Sequence, residues 1–304
     1  MSHEEPPDHP DPIRASGPVT PLRIGDLLVE GRRRLSSMAS APSSREAALL
    51  LGHVLGLDEV RLRARDDQWV EAVDVERFRQ LLDRRETGEP VAYLRGHREF
   101  WGRDFLVDPR VLIPRPETEH LIEVVLDLGL PPAPRLLDVG SGSGCIAVTL
   151  AVELTGARAV ATDRSPGALA VTSANARRFD VADRLVGVCT DLADGIDLGS
   201  IDLLVSNPPY IDPSVAETLA ADVVDHEPSL ALFAAERGTA ILTALLDRAR
   251  ALRPGVFVVV EIGYDQGEWL LAAASERSWL EVVELRRDYA GHPRVGVLRR
   301  SRST

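Results

Sequence analysis

The C-terminal two thirds of the chain alternates short β-prone segments with helical ones, and this alternation restricts the fold more than any other feature. Helical periodicity lies between the apolar segments, as at residues 145–154 and 239–252. Such alternation favours α/β architecture, with a mostly parallel, doubly wound sheet and helices on both faces. Residues 280–285 and 295–298 are predicted to pair as a closing hairpin. The predicted buried strands are 135–139, 157–162, 185–189, 201–206 and 256–262.

The N-terminal part of the chain has a different pattern. Residues 1–18 are rich in Pro and Asp and poor in large apolar residues, which predicts a disordered tail. Residues 19–90 show helix-like apolar spacing and no strand signal, which predicts a small helical domain. Residues 91–113 predict a β-hairpin linker with Gly102 in its turn. An α/β domain is expected to occupy residues 114–304.

Several helix starts can be predicted from capping chemistry. Ser43–Glu46 has the spacing of a capping box and precedes an apolar helix at 47–55. Asp265–Glu268 has the same spacing and is predicted to open another helix. Ser165 and Pro166 suit the cap and first position of a third.

Composition limits the class of protein. The formal net charge of −12 argues against extensive contact with a nucleic-acid duplex, which a basic face normally binds. Two cysteines are too few for a disulfide framework, and we interpret Cys145 and Cys189 as reduced core thiols. The histidines show no ligand spacing with them, so no metal is predicted. Without a membrane-spanning apolar segment or a secretory signal, we expect a cytoplasmic protein.

A glycine loop follows the predicted strand 135–139. Glycines permit positive φ and close approach of the backbone to a ligand, and free N–H groups at a helix start favour an anionic group. Alone, the loop is compatible with NAD, a nucleotide, S-adenosylmethionine or a plain turn. Its G-x-G-x-G spacing differs from that of dinucleotide sites, and Asp163 ends the next strand, where a carboxylate can accept both ribose hydroxyls. A nucleoside without a pyrophosphate, such as S-adenosylmethionine, therefore fits best. The predicted loop residues are Gly140, Ser141, Gly142, Ser143 and Gly144.

The run NPPY at residues 207–210 follows the apolar strand 201–206 and therefore lies where open α/β sheets bind ligands. The two prolines stiffen the loop. An amide nitrogen is a poor nucleophile because its lone pair is delocalised into the carbonyl. The Asn207 side-chain oxygen and the Pro208 carbonyl can accept its two N–H bonds and direct the lone pair toward a methyl donor. Pro209 and Tyr210 complete the predicted substrate site, with Tyr210 as a flat wall.

These motifs resemble those of the amino-group methyltransferases that act on adenine N6, cytosine N4, guanine N2 or glutamine N5. Four further runs resemble the release-factor glutamine methyltransferases (PrmC/HemK), and the likeness covers about residues 22–300. The runs are PVAYLRG at 90–96, EFWG at 99–102, IPRPETE at 113–119 and EIGYDQG at 261–267.

The resemblance implies a seven-stranded Rossmann-like methyltransferase domain, joined by a β-hairpin to a small N-terminal helical domain that recognises the substrate. It implies S-adenosyl-L-methionine as cofactor and, as protein partner, the Gly-Gly-Gln loop of class I peptide chain release factors. We expect a monomer with no stable nucleic-acid binding. Residues 114–118 are expected to line the methionine end of the cofactor. By resemblance, the cofactor-binding residues extend beyond the glycine loop to Asp163, Asp191, Leu192 and Asn207, and the catalytic residues are Asn207, Pro208 and Tyr210.

Two alternatives remain open. A nucleic-acid amino methyltransferase, acting on adenine N6 or guanine N2, shares the chemistry of the NPPY run but conflicts with the acidic balance. Its basic patches would be Arg32–Arg34 and Arg84–Arg85, which we interpret as solvated helix faces. A non-catalytic scaffold with the same fold would not require Gly140, Asp163 and Asn207 together.

Overall fold

The structure is a computed structural model that describes residues 21–36, 38 and 43–302. The chain divides into two compact units between Glu86 and Thr87. The predicted tail, residues 1–18, lies outside the described residues. The predicted boundaries at residues 90 and 113 stay predictions.

The first unit is a helical cluster with a very short ladder. Leu27, Leu50 and Phe78 are fully buried between its helices. Leu22–Arg23 pairs antiparallel with Trp69–Val70, so the prediction of no strand was wrong. A pair this short cannot produce a period-two apolar pattern. The elements of the first unit are β1 Leu22–Arg23, α1 Ile24–Leu35, α2 Ser43–Leu55, α3 Glu59–Ala64, β2 Trp69–Val70 and α4 Ala72–Glu86.

A buried ion pair joins two helices of this unit and corrects two predictions. Helix α2 begins at Ser43, so Ser43 is a helical residue and not the cap of a helix starting at 47. Glu46 is only 8% exposed, and Arg85 donates to both its carboxylate oxygens, each at 3.1 Å. Arg85 is 1% exposed and is therefore not part of a solvated face. The bidentate geometry compensates the burial of both charges.

The second unit contains a seven-stranded sheet flanked by helices, with a hairpin beside it. Its strands are β3 His97–Phe100, β4 Arg103–Leu106, β5 Arg135–Val139, β6 Arg158–Asp163, β7 Leu185–Cys189, β8 Leu203–Ser206, β9 Phe257–Glu261, β10 Leu280–Arg287 and β11 Pro293–Arg300. Its helices are α5 Val91–Arg95, α6 Glu119–Asp127, α7 Cys145–Glu153, α8 Pro166–Arg178, α9 Ala221–His226, α10 Ser229–Leu232, α11 Ala235–Gly238, α12 Ala240–Arg248 and α13 Gly267–Ser275. Short 3₁₀ helices lie at Pro116–Thr118, Leu198–Ser200, Pro213–Thr218 and Ala249–Ala251.

The sheet has the order β10-β11-β9-β8-β5-β6-β7, which confirms the predicted doubly wound α/β fold. Strands β5 to β9 are parallel, and β11 runs antiparallel between β9 and β10 as the predicted closing hairpin. Chain order reverses on the two sides of β5, which lies between β6 and β8. Parallel sheets form a ligand crevice at such a switch point, beyond the carboxyl ends of the strands.

Two hydrophobic cores cover the two faces of the sheet. Because alternate residues of a strand point to opposite faces, Leu136 of β5 packs in one core and Leu137 in the other. The first core also contains Phe100 and Phe105 of the hairpin, together with residues of α6 and α7. The second core contains residues of α12 and α13. The sheet is therefore a rigid base for the loops at its carboxyl edge.

Two local predictions fail in this unit. Cys189 is exposed because it ends β7 at the edge of the sheet, so the prediction of a core thiol is wrong for it. Cys145 is partly buried and packs against the first core, and both cysteines are free thiols. Helix α13 is not capped by Asp265. Gln266 precedes the helix, and its side-chain oxygen accepts from the Gly263 N–H at 2.9 Å. Ser165, by contrast, does cap α8, since its hydroxyl accepts from Ala168 N–H at 3.1 Å.

Candidate active site

A cleft opens beyond the carboxyl ends of β5, β6 and β8, at the switch point of the sheet. Arg110, Val111 and Leu112 line this cleft. Residues 114–118, expected at the methionine end of the cofactor, lie outside the lining, and that expectation stays a prediction. Ser141, Ser143, Gly144 and Tyr210 also lie outside the lining. The predicted residues that line the cleft are Gly140, Gly142, Asp163, Asp191, Leu192, Asn207, Pro208 and Pro209.

The glycine loop presents bare backbone to this cleft. Gly140, Gly142 and Gly144 all have positive φ, at 75°, 54° and 80°. A Cβ atom built on Gly140 or Gly142 meets no atom within 4 Å, so both face open space. A Cβ on Gly144 would lie 2.9 Å from Thr172 Cγ2. The first two glycines thus leave room for a ligand, and the third allows α7 to pack against α8.

Residues of α8 hold the loop from behind. The Thr172 hydroxyl donates to the Gly142 carbonyl at 2.9 Å and lies 3.2 Å from Ser141 Oγ. Asn175 donates to the Ser143 carbonyl at 2.8 Å. The loop is therefore held against α8 through the Ser141 hydroxyl and the carbonyls of Gly142 and Ser143, while Gly140 and Gly142 face open space.

Asp163 lies directly beside the glycine loop, at the end of β6. Its Oδ2 accepts from Gly142 N–H at 3.0 Å, and its Oδ1 accepts from Ser165 N–H at 2.8 Å. Each carboxylate oxygen keeps further accepting capacity. The two backbone bonds fix the carboxylate, so it is prepared to accept a pair of vicinal hydroxyls.

Asp138 lies next to the site and belongs to the glycine-loop motif, although the sequence alone assigns it no role. It is 1% exposed, and its Oδ2 accepts from Ala147 N–H at 3.2 Å. Its Oδ1 is buried without a hydrogen-bond partner among the described residues. Burial raises the pKa of this carboxyl to about 7, although the Ala147 N–H lowers it.

Asp191 and Leu192 follow β7 on the far side of the cleft. Asp191 is exposed and lies 3.6 Å from the Arg164 guanidinium. Leu192 has a φ of 51°, an uncommon conformation for a leucine, and is partly buried. The pair forms a polar edge and an apolar wall, which suits a planar heterocycle with edge donors.

The NPPY run is held by bonds on each side. The Asn207 Nδ2 donates to Thr118 Oγ1 at 3.1 Å. The Tyr210 hydroxyl donates to Glu261 Oε1 at 3.2 Å, while its carbonyl accepts from Gln266 Nε2 at 3.1 Å. Pro208 is buried between them. Asn207 therefore has a defined place at the rim of the cleft.

Glu261 lies behind this run, at the end of β9, and is fully buried. Burial raises the pKa of its carboxyl to about 7, while the Thr118 hydroxyl, Arg294 and Tyr210 oppose that rise. The EIGYDQG run contains this residue, but only the fold brings its Oε1 within 3.2 Å of the Tyr210 hydroxyl. Its Oε2 is buried without a hydrogen-bond partner among the described residues.

The sequence gives no indication of one wall of the cleft. Pro228, Leu230 and Phe233 line it from the segment around α10. The preceding residue, Glu227, is buried and accepts from Arg115 Nη2 at 2.5 Å and from Ile113 N–H at 3.1 Å. This carboxylate ties the wall to the segment before α6. No local pattern in the sequence marks such a long-range tie.

Two properties of the described part of the chain bear on the kind of site. Over residues 21–36, 38 and 43–302, no group of three or more His, Cys, Asp or Glu side chains is arranged to hold a metal ion. None of the helices in these ranges is long and apolar enough to cross a membrane.

Comparisons with known proteins agree with this geometry. The family described as PrmC N-terminal domain matches residues 26–96, and the methyltransferase small domain family matches residues 118–229. The catalytic domain of hMettl16, a solved structure, superposes with a TM-score of 0.55 at 16% identity, over 72% of this chain and 81% of that one. At that identity the likeness shows the fold alone.

Curated relatives carry the assignment further. The release factor glutamine methyltransferase of Nitratidesulfovibrio vulgaris is 42% identical over 278 residues, which cover 90% of this chain and 94% of the relative. The protein of the same name from Koribacter versatilis is 41% identical, over 87% of this chain and 94% of the relative. Identity at this level over nearly the full length, with the fold and cleft described above, shows that the chain belongs to the release factor glutamine methyltransferase family.

Proposed function

We propose that this enzyme transfers a methyl group from S-adenosyl-L-methionine to the side-chain amide N5 of the glutamine in the Gly-Gly-Gln loop of class I peptide chain release factors. The main support for this proposal is the position of Asn207 at the rim of the cleft. Its side chain is anchored by Thr118 at the rim of a cleft whose other walls are the open glycines and Asp163. The names of the close relatives support the same substrate.

The cleft fits the cofactor. Gly140 and Gly142 leave space that any side chain would fill, and the fixed Asp163 carboxylate suits the ribose hydroxyls. Asp191 and Leu192 would edge the adenine. Bound there, S-adenosylmethionine supplies a methyl group on a positively charged sulfur. The N–H groups of Gly140, Ser141, Gly142 and Gly144 already donate to Thr162, Asp163 and Ser141, so the first N–H groups of α7 would be the ones to meet its carboxylate.

The residues of the NPPY run would bind and orient the acceptor. The glutamine amide has two N–H bonds, which the Asn207 Oδ1 and the Pro208 carbonyl would accept. Pro209 stiffens the loop, and Tyr210 is fixed at its end by Glu261. This hold directs the amide lone pair to the methyl carbon, and such alignment contributes several kcal/mol. No strong base is required before transfer, because the methylated amide is more acidic and loses its proton afterwards.

Methyl transfer from labelled S-adenosylmethionine tests the proposal. A release factor with its loop glutamine should be labelled, and the same factor with Gln→Ala, bulk tRNA and DNA should not. Asn207→Ala should lower transfer by about 100-fold or more, a much larger factor than any loss of cofactor affinity. Equal labelling of nucleic acid would contradict the substrate, and full activity of Asn207→Ala would contradict the mechanism.

A further inference from the structure

The side chain of Gln266 connects three separate loops behind the NPPY run. Its Nε2 donates to the Tyr210 carbonyl at 3.1 Å and to the Gly238 carbonyl at 3.3 Å. Its Oε1 accepts from the Gly263 N–H at 2.9 Å. Gln266 is only 6% exposed, so water competes little for these bonds. One buried amide therefore joins the end of the NPPY run to the end of α11 and to the loop after β9.

The orientation of this amide follows from its backbone partners. A backbone N–H only donates, and a backbone carbonyl only accepts. The amide oxygen must therefore face Gly263, and the NH₂ group must face the carbonyls of Tyr210 and Gly238. A side chain of the same shape with a different set of donors cannot make the same three bonds.

Gly238 packs directly against the same carbonyl. A Cβ atom built on Gly238 would overlap the Tyr210 carbonyl oxygen, so only glycine allows this approach. Gly238 has a φ of 83°, and Glu236 and Arg237 before it are also left-handed, with φ of 55° and 57°. This conformation is unfavourable for residues with a Cβ atom. The turn nevertheless brings Gly238 to the Tyr210 carbonyl, where Gln266 donates to both backbones.

The residue after the NPPY run is bonded to the same part of the chain. The Ile211 N–H donates to the Leu232 carbonyl at 3.1 Å, and the Ile211 carbonyl accepts from the Ala234 N–H at 3.0 Å. Between these two partners lies Phe233, which lines the cleft. The segment 232–238 and the end of the NPPY run therefore form one hydrogen-bonded unit at the wall of the cleft.

We propose that Gln266 is a positioning residue that holds the Tyr210 carbonyl against the segment 232–238 and thereby sets the position of the NPPY run at the cleft. The two prolines fix φ at residues 208 and 209, so a displacement of Tyr210 is passed back to the Pro208 carbonyl. The catalytic consequence rests on the function proposed above, in which that carbonyl accepts a bond from the glutamine amide. Gln266 lies outside the lining of the cleft and acts through Tyr210, not by touching the substrate.

Two variants of Gln266 separate hydrogen bonding from packing. Gln266→Glu keeps the shape and an acceptor for the Gly263 N–H, but its carboxyl offers at most one hydrogen where the amide offers two. Gln266→Met has a similar length and makes none of the three bonds. We expect both to lower the single-turnover rate of methyl transfer by about 10- to 100-fold, since misplacement by about 1 Å near a reacting centre has a cost of that size. A wild-type rate in Gln266→Glu would show that packing alone matters and would overturn the proposal.

Arg184 provides a matched control in the same unit. Its Nη1 also donates to two backbone carbonyls, those of Ala151 at 2.8 Å and Ala157 at 3.0 Å. Arg184 immediately precedes β7, so it lies at the edge of the sheet opposite the cleft. Arg184→Met should lower the temperature of thermal unfolding and leave the single-turnover rate unchanged. A loss of rate in Arg184→Met equal to that in Gln266→Met would overturn the proposal.

The shape of the single-turnover progress curve distinguishes misplacement from loss of folded enzyme. Misplacement slows product formation while the final amount of product stays at the wild-type level, which is the result we expect for Gln266→Met. A wild-type rate with a reduced final amount would show a purely structural role and would overturn the proposal. Thermal unfolding reports whether each variant folds, and Gln266→Glu, the closer in shape, maintains the test if Gln266→Met does not fold.

A spectroscopic measurement tests the hold on Tyr210 without any release factor. Residues 210 and 211 form the one Tyr-Ile pair in the sequence, so ¹³C-carbonyl tyrosine and ¹⁵N-isoleucine labelling gives a single NMR correlation for this peptide bond. We expect its carbonyl shift to change in Gln266→Met and Gln266→Glu and to stay in place in Arg184→Met. An unchanged shift in both Gln266 variants would overturn the proposal. A changed shift supports the hold, and if the wild type then fails to methylate a release factor, the proposed function alone is wrong.

Discussion

Replacement of Gly144 by alanine tests how tightly the glycine loop is built against α8. The residue has a φ of 80°, and alanine in this left-handed region costs about 1–2 kcal/mol. Its Cβ would also lie 2.9 Å from Thr172 Cγ2 and 3.2 Å from Thr172 Cα, and the second of these is backbone that cannot turn away. Overpacking of this kind adds about 1–3 kcal/mol. We expect a total loss of about 2–5 kcal/mol in the free energy of unfolding of the second unit.

Gly102, in the turn between β3 and β4 of the same unit, provides the matched control. Its φ is 66°, and a Cβ there meets nothing within 4 Å. Gly102→Ala should therefore lower the free energy of unfolding only by the conformational part, about 1–2 kcal/mol. Urea titration of both variants measures the two losses. Thr172→Ser removes Cγ2 and keeps the hydroxyl, so in a Gly144→Ala background it should restore part of the difference. Equal losses for Gly144→Ala and Gly102→Ala, with no recovery from Thr172→Ser, would refute the close-packing explanation.

Three further predictions concern buried or fixed carboxylates. Asp163→Asn should weaken S-adenosylmethionine binding about 10- to 100-fold, because charge-assisted hydrogen bonds contribute about 1.5–3 kcal/mol. Calorimetry measures this affinity, and an unchanged Kd would exclude Asp163 from the cofactor site. Glu261 has a folded-state pKa of about 7 against an ordinary value of 4.5, so its contribution to stability is present below pH 4.5 and is lost as pH rises through 7, by about 3 kcal/mol. Glu261→Gln should flatten the fall in unfolding free energy between about pH 5 and 8, whereas a profile parallel to the wild type would contradict the raised pKa. Glu46→Gln removes the carboxylate beside buried Arg85 and should destabilise the first unit by about 3–5 kcal/mol in urea unfolding, and a loss below about 1 kcal/mol would show that the pair contributes little.

The central strands of the sheet can be predicted from sequence because they are buried on both faces. Residues 135–139 are predicted as a strand, and β5 spans the same residues. A parallel strand covered by helices is a continuous apolar run, which is visible without knowledge of its neighbours. The two-residue strands β1 and β2 carry no such signal.

The motif residues of the cleft can be predicted for a related reason. The glycine loop and Asp163 sit directly after strands that the sequence predicts, so their common edge follows from the topology. Side chains whose partners are far away in sequence cannot be predicted in this way. Thr118 lies 89 residues before Asn207, and Glu227 lies 112 residues after Arg115. Their contacts depend on how loops pack across the sheet edge, which no local spacing encodes.

Cys189 and Arg85 are two further residues whose environment cannot be predicted from the local sequence. Cys189 ends an apolar run, but that run is the edge strand of the sheet, and its outer positions face solvent. Arg85 belongs to a basic pair, yet it turns inward because Glu46 on another helix accepts both its bonds. In each case a neighbour in space, and not in sequence, decides the environment.

In the proposed reaction, a glutamine side-chain amide receives the methyl group while Asn207 holds and orients it. The most direct test incubates the purified enzyme and S-adenosylmethionine with an unmodified class I release factor, and then locates the methyl group by tandem mass spectrometry. We expect one methyl group on the amide nitrogen of the Gly-Gly-Gln glutamine, formed by the wild type and not by Asn207→Ala. Methylation at another residue, or equal methylation of the glutamine by Asn207→Ala, would contradict it.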